Sequence, residues 1–244
     1  MMQNIFLFFS TFGAYFVKGI TGFGNTLVMG TLFSFVIGNR LTTPVDLLLS
    51  IPTNSFIVWR ERKNISWKVV VPLSLMLLIG IIPGTFLLKI GNDWVLKSIL
   101  GIVVLGIAIE MLTRRPGATG QKPNPVALIC IGVLSGVLAG MYGISALLVA
   151  YISRTTDTRN QFRANLCCVF LADNVFRFML YWCTGLLTRE VLLVSLALAP
   201  AVAVGMYLGV KVDAKMNDKA VRYATIVLLM VSGLSLFIKS VFFH

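Results

Sequence analysis

Apolar segments follow one another along almost all of this 244-residue chain, and this pattern restricts the fold more than any other feature. Hydrophobic residues make up 57% of the sequence and charged residues only 12%, whereas about a quarter of a soluble domain is charged. The segments lie at about 4–18, 24–38, 43–59, 67–89, 94–113, 125–139, 143–153, 161–186, 190–211 and 219–243. Runs of this length recurring along a chain predict an all-α polytopic membrane protein.

Basic residues cluster in the connections between these segments and give a net charge of +12. If each segment reverses the chain, one side carries Arg60, Arg62, Lys63, Lys68, Arg114, Arg115, Lys122, Arg154, Arg159, Arg163, Lys211, Lys215, Lys219 and Arg222. The other side keeps only Arg40, Lys89, Lys97, Arg189 and Lys239. Because basic loops face the cytoplasm, the sequence predicts a multi-pass protein of the bacterial inner membrane with both termini outside. This spacing argues against nucleic acid as a partner.

The linker 114–124 (RRPGATGQKPN) separates two similar halves, 1–113 and 125–244. Several landmarks of the first half recur about 120–125 residues later. The pairs are Gly80/Gly84 with Gly205/Gly209, 52–54 with 172–174, 95–97 with 221–222, and GFGN with MYGIS. Five reversals in each half make the second an inverted copy of the first. We therefore expect two inverted repeats, each a re-entrant or broken helix pair plus three transmembrane helices.

The first pair of segments in each half is short. Segments 4–18 and 24–38 have about 15 residues each and 143–153 is shorter still, whereas about 20 are needed to cross a bilayer. Each pair is either a re-entrant hairpin with a glycine-rich tip near mid-membrane or two tilted crossings, and the hairpin is favoured. Non-helical backbone at that depth must line a cavity or be buried in protein.

Glycines mark both predicted tips. The tip residues are Gly22, Gly24 and Asn25 in the first half and Gly140, Gly143 and Ser145 in the second. Glycine lets the chain turn and brings backbone N–H groups close to a ligand. The helix after each tip begins with free N–H groups and the positive end of its dipole, which favour an anion. Two such ends facing one cavity predict an anion-binding site.

Polar side chains inside the apolar segments are further candidates for this site. Lys18 either contacts the anion or is held by a salt bridge or the membrane interface, because a charge at mid-membrane costs about 2.5–3.5 kcal/mol. Asn54 follows a proline and either satisfies a helix break or faces substrate, as does Asn174 in the second half. Asp173 and Arg177 are spaced to form an ion pair, or a site where Arg177 meets the anion and Asp173 carries a proton.

Other chemistry is absent from the sequence. There is no phosphate-binding G-x4-G-K-[ST] motif and no metal-ligand spacing of cysteines, and the single histidine is His244. Asp46 and Glu110 lie near segment ends, where solvated or structural roles dominate. We therefore expect no enzyme, no cofactor and no metal.

Several stretches together resemble the sulfite exporter TauE/SafE family of membrane permeases. They are VKGITGFGNTLVMGTL, PVDLLLSIPTN, WRERKNISW and GIIPGTFLL, then GVLSGVLAGMYGIS, FRANL and VRYATIVLLMVSGLSL. The resemblance implies a transporter of small sulfur-containing or organic anions such as sulfite and sulfonates. Its glycine-rich stretches fall on the two tips. This chain departs from them with Asn25-Thr26 and Ser145-Ala146, where glycines are common in the family.

Together these features predict a secondary transporter, an exporter of a small anion, that works by alternating access at a midplane site. A passive anion channel and a membrane scaffold or assembly protein without transport activity are the alternatives. The expected partners are the anionic substrate and the lipid bilayer. A homo-oligomer is compatible with the sequence, but no dimer face can be identified from it, since the bilayer requires apolar outer surfaces on any such protein.

Overall fold

The computed structural model describes residues 2–33, 36–90, 105–106, 109, 125–143, 146–156 and 158–217, with a few further positions between 220 and 238. These residues are predominantly helical and contain no strand. The helices are α1 (Met2–Thr21), α2 (Asn25–Phe33), α3 (Asn39–Arg60), α4 (Trp67–Ile90), α5 (Pro125–Tyr142), α6 (Ala146–Thr155), α7 (Arg159–Cys183) and α8 (Arg189–Asp213). The linker 114–124 lies outside the described residues, as do most of the predicted segments 94–113 and 219–243.

Three of the described helices are long and apolar enough to cross a membrane: Trp67–Leu88, Arg159–Cys183 and Arg189–Asp213. Their ends follow from local chemistry. The Thr158 and Thr188 hydroxyls accept hydrogen bonds from the backbone N–H groups of Gln161 and Val191, which caps α7 and α8. The predicted all-helical membrane architecture is thus supported in its coarse form.

Each pair is interrupted between its two helices, but α1 has 20 residues rather than the about 15 predicted, and the break after it is narrower than predicted. Helix α1 continues through Lys18 to Thr21, and α2 resumes at Asn25 with only 9 residues. The N–H of Gly22 still donates to the carbonyl of Lys18 at 2.7 Å, so Lys18 lies in the last turn of a helix. In the second pair, the 18 residues of α5 are followed by the 10 residues of α6.

Helix α3 runs without interruption through Pro44 and Pro52, so the predicted helix break near Asn54 is not present. A proline within a helix frees a carbonyl of the preceding turn. The Thr53 hydroxyl donates to the carbonyl of Ser50 at 3.0 Å and to that of Leu49 at 3.4 Å. Asn54 Oδ1 has no hydrogen-bond partner among the described residues, so this side chain is available for other contacts.

Glycine pairs bring the two halves into close contact. A Cβ atom at Gly80 or Gly84 of α4 would collide with backbone of α5, and one at Gly205 or Gly209 of α8 would collide with backbone of α1. These glycines therefore allow close packing of the helices. Helix α4 thus packs on α5, and α1 on α8.

Polarity is distributed as expected for a protein surrounded by lipid. Large apolar side chains are exposed on the outer faces of the long helices, including Leu75, Ile79 and Phe86 of α4 and Leu193, Leu196 and Val204 of α8. Charged and amide side chains are buried instead, among them Lys18, Asn25, Asp46, Asn54, Arg163, Asp173, Asn174 and Arg177. Buried polar groups of this kind inside a membrane protein indicate a functional centre.

Candidate functional site

The first tip is the connection between α1 and α2. Gly22 and Gly24 have φ angles of +86° and +91°, a region that other residues rarely adopt. The Thr21 hydroxyl contacts the carbonyls of Val17 and Phe23 at 2.9 and 2.6 Å, which closes the turn. The chain can therefore end one helix and begin the next within three residues.

A buried carboxylate on α3 holds the start of α2. The Asn25 amide donates to Asp46 Oδ1 at 2.7 Å, the Tyr15 hydroxyl donates to the same oxygen at 3.2 Å, and the Thr26 hydroxyl donates to Asp46 Oδ2. The Asn25 amide also donates to Ser50 Oγ at 2.9 Å. Asp46 is only 2% exposed, so a solvated role is wrong and the structural role fits. The side-chain amide of Asn25 therefore donates its N–H groups to partners within the protein.

The second tip is the connection between α5 and α6. Gly143 has a φ of +71°, and its N–H donates to the carbonyl of Ala139 at 2.7 Å. Arg177 Nη1 donates to that same carbonyl at 3.1 Å, and the Tyr181 hydroxyl donates to the carbonyl of Gly140 at 2.9 Å. Predicted site residue Ser145 lies outside the described residues.

The ion pair between Asp173 and Arg177 is present. Arg177 Nε donates to Asp173 Oδ1 at 3.0 Å and Arg177 Nη2 donates to Oδ2 at 2.9 Å, which is a two-pronged contact. Arg177 Nη2 also donates to Asn174 Oδ1 at 3.0 Å. Only one N–H of this guanidinium, on Nη1, is left for another partner.

A cavity lies where the two tips meet α3 and α7. The described residues that line it are Lys18, Phe23, Gly24, Asn25, Thr26, Leu27, Ser50, Asn54, Gly143, Val149, Phe170, Asp173, Asn174 and Arg177. The cavity has a volume of about 30 Å³, which is space for roughly two or three water molecules. The cavity therefore has room for a small ligand.

Most of the predicted site residues are brought together here: Lys18, Gly24, Asn25, Asn54, Gly143, Asp173, Asn174 and Arg177. Gly22 and Gly140 do not line the cavity. A Cβ atom at Gly22 would lie 2.9 Å from Arg163 Cγ, and one at Gly140 would lie 2.5 Å from the carbonyl oxygen of Ile81 on α4. Both glycines therefore serve packing. Sequence reasoning missed Thr26, Ser50 and the apolar lining.

Two polar atoms of the lining have no hydrogen-bond partner among the described residues, and a third group, the Lys18 ammonium, has no ion pair there. The Lys18 side chain is 1% exposed, and its ammonium, which makes no ion pair there, lies 5.5 Å from the centre of the Tyr15 ring. Asn54 Oδ1 and Asn174 Nδ2 are buried and unpaired. Buried polar groups are normally satisfied, so such groups around a cavity are candidates for contacts with a polar ligand. A cation and an amide donor suit an anion.

A second buried arginine was not predicted as part of this region. Arg163 was assigned to a cytoplasmic loop, but it is 4% exposed and donates to the carbonyl of Ile20 at 2.5 Å and to Asp213 Oδ2 at 2.7 Å. The sequence did hold a signal. Arg163, Cys167, Phe170, Asn174 and Arg177 are spaced by three or four residues, so they share one face of α7. That face meets both tips.

The described residues contain no group of histidine, cysteine or acidic side chains that could hold a metal.

Comparison with known proteins identifies the family of this chain. A family model described as Sulfite exporter TauE/SafE matches residues 7–236. The chain is also 23% identical over 237 residues to a protein of Cupriavidus necator described as "Probable sulfite/organosulfonate exporter TauE", covering 94% of this chain and 91% of that protein. No solved structure matches. With membrane-length apolar helices and a family match over nearly its whole length, this chain belongs to the sulfite exporter TauE/SafE family of membrane transporters.

Proposed function

We propose that this protein is a secondary transporter that exports a small oxyanion, such as sulfite or a sulfonate, across the bacterial inner membrane. The observation that carries the proposal is the buried Lys18 ammonium, which faces a cavity between two glycine-broken helices and has no ion-pair partner among the described residues. A buried cation without a partner is strongly unfavourable, and an anionic ligand would relieve this. The Cupriavidus necator relative supports the substrate class.

The anion would bind between the two tips. Residues 24–27, at the start of α2, line the cavity and carry the free N–H groups of a helix beginning. Lys18 would supply the charge, and Asn54 and Asn174 would complete the hydrogen bonds. Because Asn25 is held by α3, its predicted contact with the ligand would come through its backbone rather than its amide group.

Asp173 is the candidate for coupling transport to protons. In the described state its carboxylate holds Arg177 in a two-pronged ion pair. Protonation of Asp173 would weaken that pair and release guanidinium N–H groups toward the cavity. Proton and anion would then bind together and leave together, so export would be driven by the outward gradient of the anion.

Alternating access would follow from two inverted halves, 1–113 and 125–244. Their contacts support this reading, because the first helix of each half packs against the fourth helix of the other. Helices α3 and α7, third in their halves, also contact one another. Such exchanged contacts are expected when two repeats are related by a pseudo-two-fold axis in the membrane plane. The basic side would face the cytoplasm, with both termini outside.

Counterflow in proteoliposomes tests the proposal. Vesicles loaded with unlabelled sulfite should accumulate external labelled sulfite, with saturation, and Lys18→Met should abolish this accumulation. The matched control is Lys211→Met, since Lys211 is an exposed lysine on α8. Flux that never saturates would identify a channel. Absence of flux for sulfite and sulfonates in folded wild-type protein would overturn the proposal and favour an assembly role.

A further inference from the structure

Building on the proposed anion site, we infer that the cavity selects a singly charged oxyanion that also donates a hydrogen bond, such as hydrogen sulfite, over a doubly charged one. The inference rests on the charges and the unpaired polar atoms around the cavity. It concerns which ionic form is bound, and it can fail while the anion site itself stands.

The charge balance disfavours a dianion. Lys18 is the single lining cation without an ion pair among the described residues, since Arg177 is neutralised by Asp173. Asp46 is also buried beside the cavity, but its carboxylate oxygens already accept hydrogen bonds from Tyr15, Asn25 and Thr26. One ligand charge can therefore be balanced by Lys18, whereas a second would be buried without a cation.

The unpaired atoms call for a donor on the ligand. Lys18 and Asn174 Nδ2 offer N–H groups to oxyanion oxygens, but Asn54 Oδ1 is an acceptor and is buried without a partner. An acceptor cannot satisfy an oxyanion oxygen that carries no hydrogen. A ligand with one protonated oxygen carries both the acceptors that Lys18 and Asn174 require and the donor that Asn54 Oδ1 requires. A site built to pair with a hydroxyl rejects analogues that lack it, because its polar group is then left unpaired.

Three probes separate these features: sulfite, methanesulfonate and sulfate. Methanesulfonate has the same single charge as hydrogen sulfite but no hydrogen to donate, and sulfate has two charges. Binding to purified wild-type protein is measured by titration calorimetry at several pH values across the second dissociation of sulfurous acid. We expect hydrogen sulfite to bind at least about tenfold more tightly than either of the others. Its apparent affinity should fall as the dianion forms.

Methanesulfonate keeps its charge over this pH range, so it reports any titration of the protein itself. The ratio of the two affinities is therefore the diagnostic quantity. Asn54→Leu should weaken hydrogen sulfite about tenfold and methanesulfonate little, bringing the two together. The matched variant is Asn174→Leu in the second half, which should weaken both ligands alike because it removes a donor.

Equal affinity of methanesulfonate and hydrogen sulfite for the wild-type protein would overturn the donor requirement. Sulfate binding as tightly as hydrogen sulfite would overturn the preference for one charge. Either result would leave an anion site in place. Absence of binding for all three probes would overturn this inference and the proposed site together. The wild-type comparison is decisive even where a variant folds poorly.

Discussion

An arginine of α7 binds each tip, but the two arginines pair with carboxylates on different helices. At each tip an arginine of α7 donates to a carbonyl near the end of the incoming helix, Arg163 to Ile20 and Arg177 to Ala139. Each arginine also lies against a glycine of positive φ. The carboxylate partner of Arg163 is Asp213 on α8, whereas that of Arg177 is Asp173, one turn away on α7 itself.

This difference indicates which parts move together. The first tip is tied to α3 through Asp46, to α7 through Arg163 and, through that arginine, to α8. Within the described residues, the side-chain hydrogen bonds to the second tip come from α7 alone, through Arg177 and Tyr181. The second tip is therefore expected to follow α7, while the first joins several helices.

Removal of Arg177 should have the largest effect on stability. Arg177→Met leaves Asp173, which is 2% exposed, without its cation. Loss of one partner of a buried ion pair is expected to destabilise by about 3–5 kcal/mol. Thermal unfolding in detergent should show a marked fall, and adding Asp173→Asn should recover part of it. Unfolding at the wild-type temperature would mean that Arg177 does not anchor the second tip.

The tip glycines should come next. Gly22→Ala and Gly143→Ala combine a positive φ with a collision against an arginine, and about 2–3 kcal/mol is expected for each. Gly185 provides the control, because its φ is +73° but nothing lies within 4 Å of its missing Cβ. Gly185→Ala should cost about 1 kcal/mol, from the backbone alone. Equal unfolding temperatures for all three variants would show that the arginine side chains move aside without loss of stability.

The loss of Arg163 should be milder than the loss of Arg177. Asp213 also contacts Arg159, so Arg163→Met leaves that carboxylate with a cation. The main loss is the hydrogen bond to the Ile20 carbonyl, and we expect about 1–2 kcal/mol by thermal unfolding. A fall as large as that of Arg177→Met would contradict the proposed difference between the tips.

Much of the helical architecture could be predicted because each helix is determined largely by the residues within and next to it. Apolar runs bounded by capping and turn residues gave segments 67–89 and 190–211, close to the observed Trp67–Ile90 and Arg189–Asp213. The glycine pairs Gly80/Gly84 and Gly205/Gly209 were also recognisable in the sequence from their spacing. The glycines correctly marked both breaks, and the second helix of each pair is short, with 9 and 10 residues, but the shortness predicted for segment 4–18 was wrong because α1 has 20 residues.

Asp46 and Arg163 could not be placed from local pattern. Both lie near the beginning of an apolar segment, where a charged side chain usually reaches water. Their burial depends on distant partners, since Asp46 pairs with Asn25, 21 residues earlier, and Arg163 with Asp213, 50 residues later. Only the packing of helices decides whether such a partner is present. Lys18 differed because its unusual place within an apolar stretch was visible directly.

Lys18→Met should affect stability least and ligand binding most. Methionine keeps the length of the side chain but removes a buried charge that has no ion pair among the described residues. Stability without ligand should therefore be unchanged or higher, as at functional sites that sacrifice stability. Addition of hydrogen sulfite should raise the unfolding temperature of wild-type protein and not of the variant. A large fall without ligand would instead make the Tyr15 contact the main role of Lys18. The contrast with Arg177→Met would then disappear, and both cations would be structural.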